Sequence, residues 1–241
     1  MVLLAIDTCD ARGSVAVLRD AKVLANLVHE GTEEYSLWLA PAVDGALKTA
    51  GLMLSAVEVY AVAMGPGSFT GARIGLTAVK AWAEVYGKRI AAVSRLEVLA
   101  RQAGEDAEYV AGFFDGSRGQ VFAALYRRIG SELQRVGDEA VLGPAEFVSW
   151  VDEQVAGKLV GWASLDPQKI TGEAGWKARA DTGEHVVQVA SNLSPLIGKI
   201  GFQRATEGKL IGALELDANY VRRTDAEVFW KGSKAAASES K

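Results

Sequence analysis

Two short stretches follow apolar runs and carry acids, small polar residues and an arginine, which are groups that can take part in phosphate chemistry. The first is Asp7-Thr8-Cys9-Asp10-Ala11-Arg12-Gly13-Ser14, and the second is Phe114-Asp115-Gly116-Ser117-Arg118-Gly119-Gln120-Val121-Phe122. A phosphate cradle needs backbone N–H groups to come close to the ligand, and glycine permits this. Position 9 is Cys, whose Cβ hinders that approach, and Asp10 adds a charge of the wrong sign. In the second stretch Asp115 and Arg118 are the polar groups of interest, although Asp115 reads equally well as a turn residue.

Other chemistry finds less support. His29 and His185 lie far apart in sequence with no His-x-x-x-His helix between them, so no metal site is expected. Cys9 is the one cysteine, which excludes an internal disulfide and fits a reducing cytoplasm. Buried small thiols are commoner than nucleophilic ones. No Ser-His-Asp or Cys-His relay follows from spacing, so no catalytic residue is assigned.

The densest stretch is Val59 to Trp82. Val59, Tyr60, Val62 and Met64 read as a buried strand that Gly65-Pro66-Gly67 stops. Pro66 and Gly67 suit a type II turn, and Ser68 or Thr70, either side of Phe69, can cap a helix from about Gly71 to Tyr86. Ile74, Ala78, Trp82 and Val85 share one of its faces. Gly71 and Gly75 each cost roughly 1 kcal/mol in a helix, so another backbone is expected close by. Arg73 opposes the helix dipole and should have an anionic partner. A nucleotide P-loop is excluded, because Gly71 is followed by Ala72-Arg73 rather than Lys-Ser/Thr.

The 241 residues are 49% hydrophobic and 23% charged, enough for one sizeable domain or two compact lobes. A formal charge of −4 argues against broad phosphate-backbone binding. No run reaches membrane-spanning length, and residues 2–6 are too short for a signal segment. Along the chain the spacing predicts strands over 1–7, 14–18 and 23–29, then a helix from Thr32, its cap, to about Ala50. Leu39, Val43, Ala46, Leu47 and Ala50 of that helix face the sheet, leaving Tyr35, Trp38 and Ala42 on a neighbouring face that either packs on helix 70–86 or meets a partner. A strand at 89–94 and a helix at 95–103 follow. Residues 104–108 form a polar break, after which three strands, a helix at 144–155, two short strands at 158–162 and 186–189, and a helix at 191–208 repeat the order. Residues 164–184 show no period and read as loop. The polar segment 231–241 is expected to be disordered.

The string Gly65-Pro-Gly-Ser-Phe-Thr-Gly-Ala-Arg-Ile-Gly75, with Leu4-Ala-Ile-Asp-Thr8 before it, closely resembles the TsaB (YeaZ) family. The resemblance implies an α/β, actin-like (ASKHA) fold of two RNase H-like lobes. These would be 1–104, with a tail 217–230 bearing Tyr220 and Arg222 packed back on it, and 105–216. It also implies a non-catalytic, cytoplasmic subunit of tRNA threonylcarbamoyladenosine synthesis, paired with the catalytic TsaD, recruiting the ATPase TsaE and meeting tRNA through the complex. The helices 32–50 and 70–86 would form the interface, through Tyr35, Trp38, Ala42, Gly71, Gly75, Ala78 and Trp82. The isolated chain would then expose an apolar face able to pair with a second copy. The loop Gly65, Pro66, Gly67, Ser68, Phe69, Thr70 with Arg73 is the family signature, and Asp7, Thr8, Asp115 and Arg118 would be remnants of a nucleotide site. No cofactor is implied. Arg118 falls one place late for the family hairpin and Gln120 replaces its acid, which weakens the second stretch. The rival is a small actin-like kinase or ATPase acting alone.

Overall fold

The structure is a computed structural model that describes residues 1–104 and 106–221. Expectations for Arg222, the tail beyond it and 231–241 lie outside the described residues. The first sheet holds β1 (Val2–Asp7), β2 (Ser14–Arg19), β3 (Lys22–Val28), β4 (Val59–Ala63) and β5 (Arg89–Val93) in the order β3-β2-β1-β4-β5. The second holds β6 (Tyr109–Ser117), β7 (Gln120–Ile129), β8 (Glu132–Leu142), β9 (Val160–Ser164) and β10 (Val186–Gln188) in the order β10-β9-β6-β7-β8. Each half therefore makes an antiparallel meander and then adds two parallel strands beside its first strand. β1 and β4 are covered on both faces, which is why they read as unbroken apolar runs.

Five layers result. α1 (Tyr35–Thr49) and α2 (Phe69–Tyr86) cover one face of the first sheet, through Leu39, Val43, Ala46, Leu76 and Val79. α3 (Arg95–Ala100) and α7 (Ser194–Thr206) lie between the two sheets, where Leu96, Leu99, Ile197 and Ile200 join one core. α4 (Pro144–Val155), α5 (Gln168–Thr171) and α6 (Ala174–Asp181) close the far side of the second sheet. α7 packs on β1, β2 and β4, whereas α3 packs on β6, β7 and β9. A division at 104 thus separates the sheets, but each half sends a helix to the other half's sheet.

Three local expectations need correction. α1 starts at Tyr35, and Glu34 occupies the cap position with no side-chain cap, so Thr32 plays no capping part. The Tyr35 hydroxyl accepts from the Gly13 N–H at 2.5 Å and donates to the Asp10 carbonyl, which ties the first turn of α1 to the β1–β2 turn. Gly67 has φ 153° rather than the roughly +80° that a type II turn needs at its second central position, so the turn is not type II. Residues 164–184 contain α5 and α6. Their period is invisible because α6 is held by single large groups: Trp176 lies edge-on to Trp162 at 5.2 Å, and Arg179 bonds Asp152 and Glu184.

Glycines let α7 sit down on the first sheet. A Cβ at Gly201 would meet the Ala61 Cβ at 2.7 Å, a rigid neighbour. Gly201→Val should therefore lower stability by about 1–3 kcal/mol, read from urea unfolding.

Candidate functional site

β1 delivers Asp7 fully buried at its end. Its Oδ1 accepts the Cys9 N–H at 2.9 Å, and its Oδ2 accepts Arg95 Nε at 3.2 Å. Arg95, the first residue of α3 and 1% exposed, also donates to Asp10 Oδ2 at 2.9 Å and to the Pro66 carbonyl at 3.3 Å. Its guanidinium lies 4.7 Å from the centre of the Phe114 ring on the second sheet. Burial opposes the charge, but Asp7 and Asp10 outweigh it and raise the guanidinium pKa further. Cys9 is buried at 1% exposure beside this pair, and burial together with the Asp7 charge pushes its thiol well above the ordinary value. A thiol kept protonated is a poor nucleophile.

The glycines are explained by the same corner. A Cβ on Gly67 would meet the Cys9 carbonyl at 2.1 Å, one on Gly71 the Thr8 carbonyl at 2.0 Å and one on Gly75 Thr8 Oγ1 at 2.4 Å. The Ser68 N–H donates to the Cys9 carbonyl at 2.7 Å, and Thr8 Oγ1 donates to the Gly71 carbonyl at 2.7 Å. Ser68 Oγ caps α2 by accepting the Gly71 N–H at 3.2 Å, so the cap is Ser68 and not Thr70. The close backbone expected near these glycines is the end of β1. Gly71 and Gly75 are buried against it, and this corrects their assignment to a partner-facing surface.

Arg73 has no carboxylate partner among the described residues. Its Nε donates to the Tyr220 hydroxyl at 3.0 Å and its guanidinium sits 3.7 Å over the Phe69 ring. Tyr220 lies 5.1 Å from Phe69, so the end of the described chain does return to the first lobe. Thr70, Arg73, Ile74, Thr77 and Ala78 line a shallow groove with Phe69. Trp82 is half-buried, 6.1 Å from Tyr60. Tyr35 (tilted, 4.8 Å) and Trp38 (edge-on, 5.1 Å) pack on the buried His29, and Leu37 and Val85 are exposed. Ala42 is buried in the core under α1, which corrects its assignment to a partner-facing surface as it does for Gly71 and Gly75.

Between the lobes lies a cleft of about 1250 Å³, walled by the 65–69 loop, Arg95, Phe114 and Asp166 among others. Asp115 accepts the Ser117 N–H at 2.8 Å and pairs with Lys169 at 3.1 Å. Ser117, Arg118 and Gly119 all have positive φ in the turn that follows. The structure sets Thr8 against Gly71 and Gly75 just behind the signature loop, and Asp115 and Arg118 line the cleft with that loop. Asp7 and Thr8 are buried and do not line it, which corrects their grouping with Asp115 and Arg118 in one nucleotide site. Among the described residues no three His, Cys, Asp or Glu side chains converge on a metal position, and no helix is long and apolar enough to cross a membrane. Arg95 was missed from sequence. Its signal was present, since it is a cation in the first turn of a helix, the same anomaly that singled out Arg73.

A family model described as TsaD: tRNA N6-adenosine threonylcarbamoyltransferase matches residues 22–164. The Escherichia coli tRNA threonylcarbamoyladenosine biosynthesis protein TsaB is 31% identical over 96% of this chain and 97% of its own length. The chain belongs to the TsaB family. The Bacillus subtilis protein of the same name is 30% identical over 95% of this chain and 98% of its own. A solved Pseudomonas aeruginosa protein, described as similar to peptidase YEAZ, superposes with a TM-score of 0.70 at 27% identity, over 92% of this chain and 99% of that one. The sheet order found twice is therefore the two-lobed, actin-like (ASKHA) fold of TsaB-family chains.

Two outcomes follow from the corner around Asp7. Arg95→Met leaves a buried carboxylate unpaired and should cost about 3–5 kcal/mol in denaturant unfolding. Burial also pushes the Tyr35 hydroxyl from its ordinary 10.0 up to about 12, although the Gly13 N–H pulls the other way. The folded chain thus holds this proton more tightly than the unfolded one. Its stabilising share is complete below pH about 10 and is lost as pH rises through about 12. Comparing tyrosinate absorbance and stability of wild type and Tyr35→Phe over that window checks it.

Proposed function

We propose that this TsaB-family chain is the non-catalytic subunit of tRNA threonylcarbamoyladenosine synthesis, acting in the cytoplasm. It would dock the TsaD-like catalytic subunit along α1 and α2, recruit a TsaE-like ATPase at that junction and meet tRNA only through the assembly. The names of its relatives support the pathway. The observation that carries the non-catalytic reading is the state of Asp7. This acid ends β1 at the position from which actin-like enzymes serve phosphate, yet both of its oxygens are committed inside the protein, one to Arg95 and one to the Cys9 N–H. Asp7 is also fully buried and does not line the cleft between the lobes, so neither oxygen is presented to a ligand there.

The docking reading is supported by the outer side of α2. With Gly71 and Gly75 turned inward, the groove of Phe69, Thr70, Arg73, Ile74, Thr77 and Ala78 is what the helix presents outward, and Leu37, Val85 and half-buried Trp38 and Trp82 extend the apolar surface. Aromatic anchors around a groove suit an interface core. The large cleft gives the lone-kinase reading its one structural argument.

The test is calorimetry of the purified chain with its TsaD-like subunit and separately with ATP. Thr77→Arg, an exposed change, should weaken subunit binding about tenfold, or about 1.4 kcal/mol. Its folding stability should stay within about 0.5 kcal/mol of wild type. ATP turnover by the chain alone would overturn the non-catalytic reading, and unchanged subunit binding would overturn the docking face.

A further inference from the structure

The segment 216–221 runs as a strap from the first lobe's core to the docking groove. Leu216 is 1% exposed in the layer shared with α1 and α2. The Asn219 N–H donates to the Met64 carbonyl at 2.7 Å, beside the signature loop, and a Cβ on Gly65 would meet the Asn219 carbonyl at 3.2 Å. The Asn219 side chain turns the other way. Its Nδ2 donates to Oε2 of Glu139, a half-buried residue of β8 in the second lobe. Glu139 Oε1 accepts from Ser94 Oγ at 2.5 Å and from the Tyr126 hydroxyl at 3.1 Å. One carboxylate thus gathers the entry to α3, the second sheet and the strap, through three uncharged donors. The next strap residue, Tyr220, accepts from Arg73 and packs on Phe69, two residues that line the α2 groove.

We propose that Glu139 is a positioning residue for the docking edge. By holding Asn219 it sets Tyr220, and Tyr220 sets Arg73 and Phe69 in the geometry that a partner meets. The proposal rests on the docking reading above. It makes the α2 face depend on a residue of the opposite lobe that lies outside that groove.

The contact can be inverted. Asn219→Asp places two carboxylates against each other, and adding Glu139→Gln restores one donor and one acceptor with the original net charge. Asn219→Asp should weaken binding of the TsaD-like subunit about tenfold and speed amide exchange at position 219 of the isolated chain more than at the core strands, the chain staying folded. The double variant should restore both to within about threefold of wild type. Wild-type binding by Asn219→Asp, or a double variant as weak as the single, would overturn the inference. If the charge at 219 unfolds the chain, Glu139→Ala serves instead: about tenfold weaker binding supports the inference and wild-type binding overturns it. Failure of the unaltered chain to bind its subunit at all would instead bring down the docking reading, and this inference with it.

Discussion

A guanidinium buried between two lobes must be surrounded by acceptors, because desolvating a charge costs several kcal/mol unless it is paired and hydrogen-bonded. Arg95 meets that demand by drawing together parts of the chain that are far apart in sequence: Asp7 at the end of β1, Asp10 from the turn after it, the Pro66 carbonyl from the signature loop and the Phe114 face from the second sheet. Removing any one of these partners leaves an expensive remainder. The pair therefore sets where β1 ends, how the loop at 65–70 lies and how closely β6 approaches. It also decides the chemistry, since the acid that could have served a ligand serves the arginine instead.

The path of α2 follows from that corner. Once the Cys9 carbonyl binds the Ser68 N–H, the first turns of the helix lie directly on Thr8, and only glycine fits at 67, 71 and 75. The inner face of α2 is thus consumed by contact with β1. What remains outside is a groove of mixed aliphatic, aromatic and cationic character whose rim is held by Tyr220. Arg73, unfavourable at a helix start by its dipole, is stabilised within the chain by a ring face and a hydroxyl. Its charge therefore stays on the surface, available to whatever docks.

The exchange of helices between the halves gives the two sheets a shared layer. α3 carries Arg95 and rests on the second sheet, while α7 comes from the second half and rests on the first. Motion of one lobe against the other must then disturb this layer, the Arg95 cluster and the Glu139 contact together. A single polar residue on β8 is tied to the strap beside the α2 groove because Ser94, Tyr126 and Asn219 all converge on it.

Local order was legible in the amino acids: strand–strand–strand–helix repeated, the polar break near 104, the stop at Gly65 and the start near Ser68, the sheet-facing residues of α1. Period and turn chemistry act over a few residues, so they survive reading in one dimension. The motif of residues 65–75 with 4–8 identified the family for the same reason. α5 and α6 were hidden because isolated anchors such as Trp176 and Arg179 leave no period. The inward turn of Gly71 and Gly75, the Tyr220 partner of Arg73 and the Arg95–Asp7 pair depend on contacts between residues from 63 to 147 positions apart. Composition specifies that a buried charge or a helix glycine must have a close neighbour. Which neighbour it has is decided only when the sheets close on the helices between them.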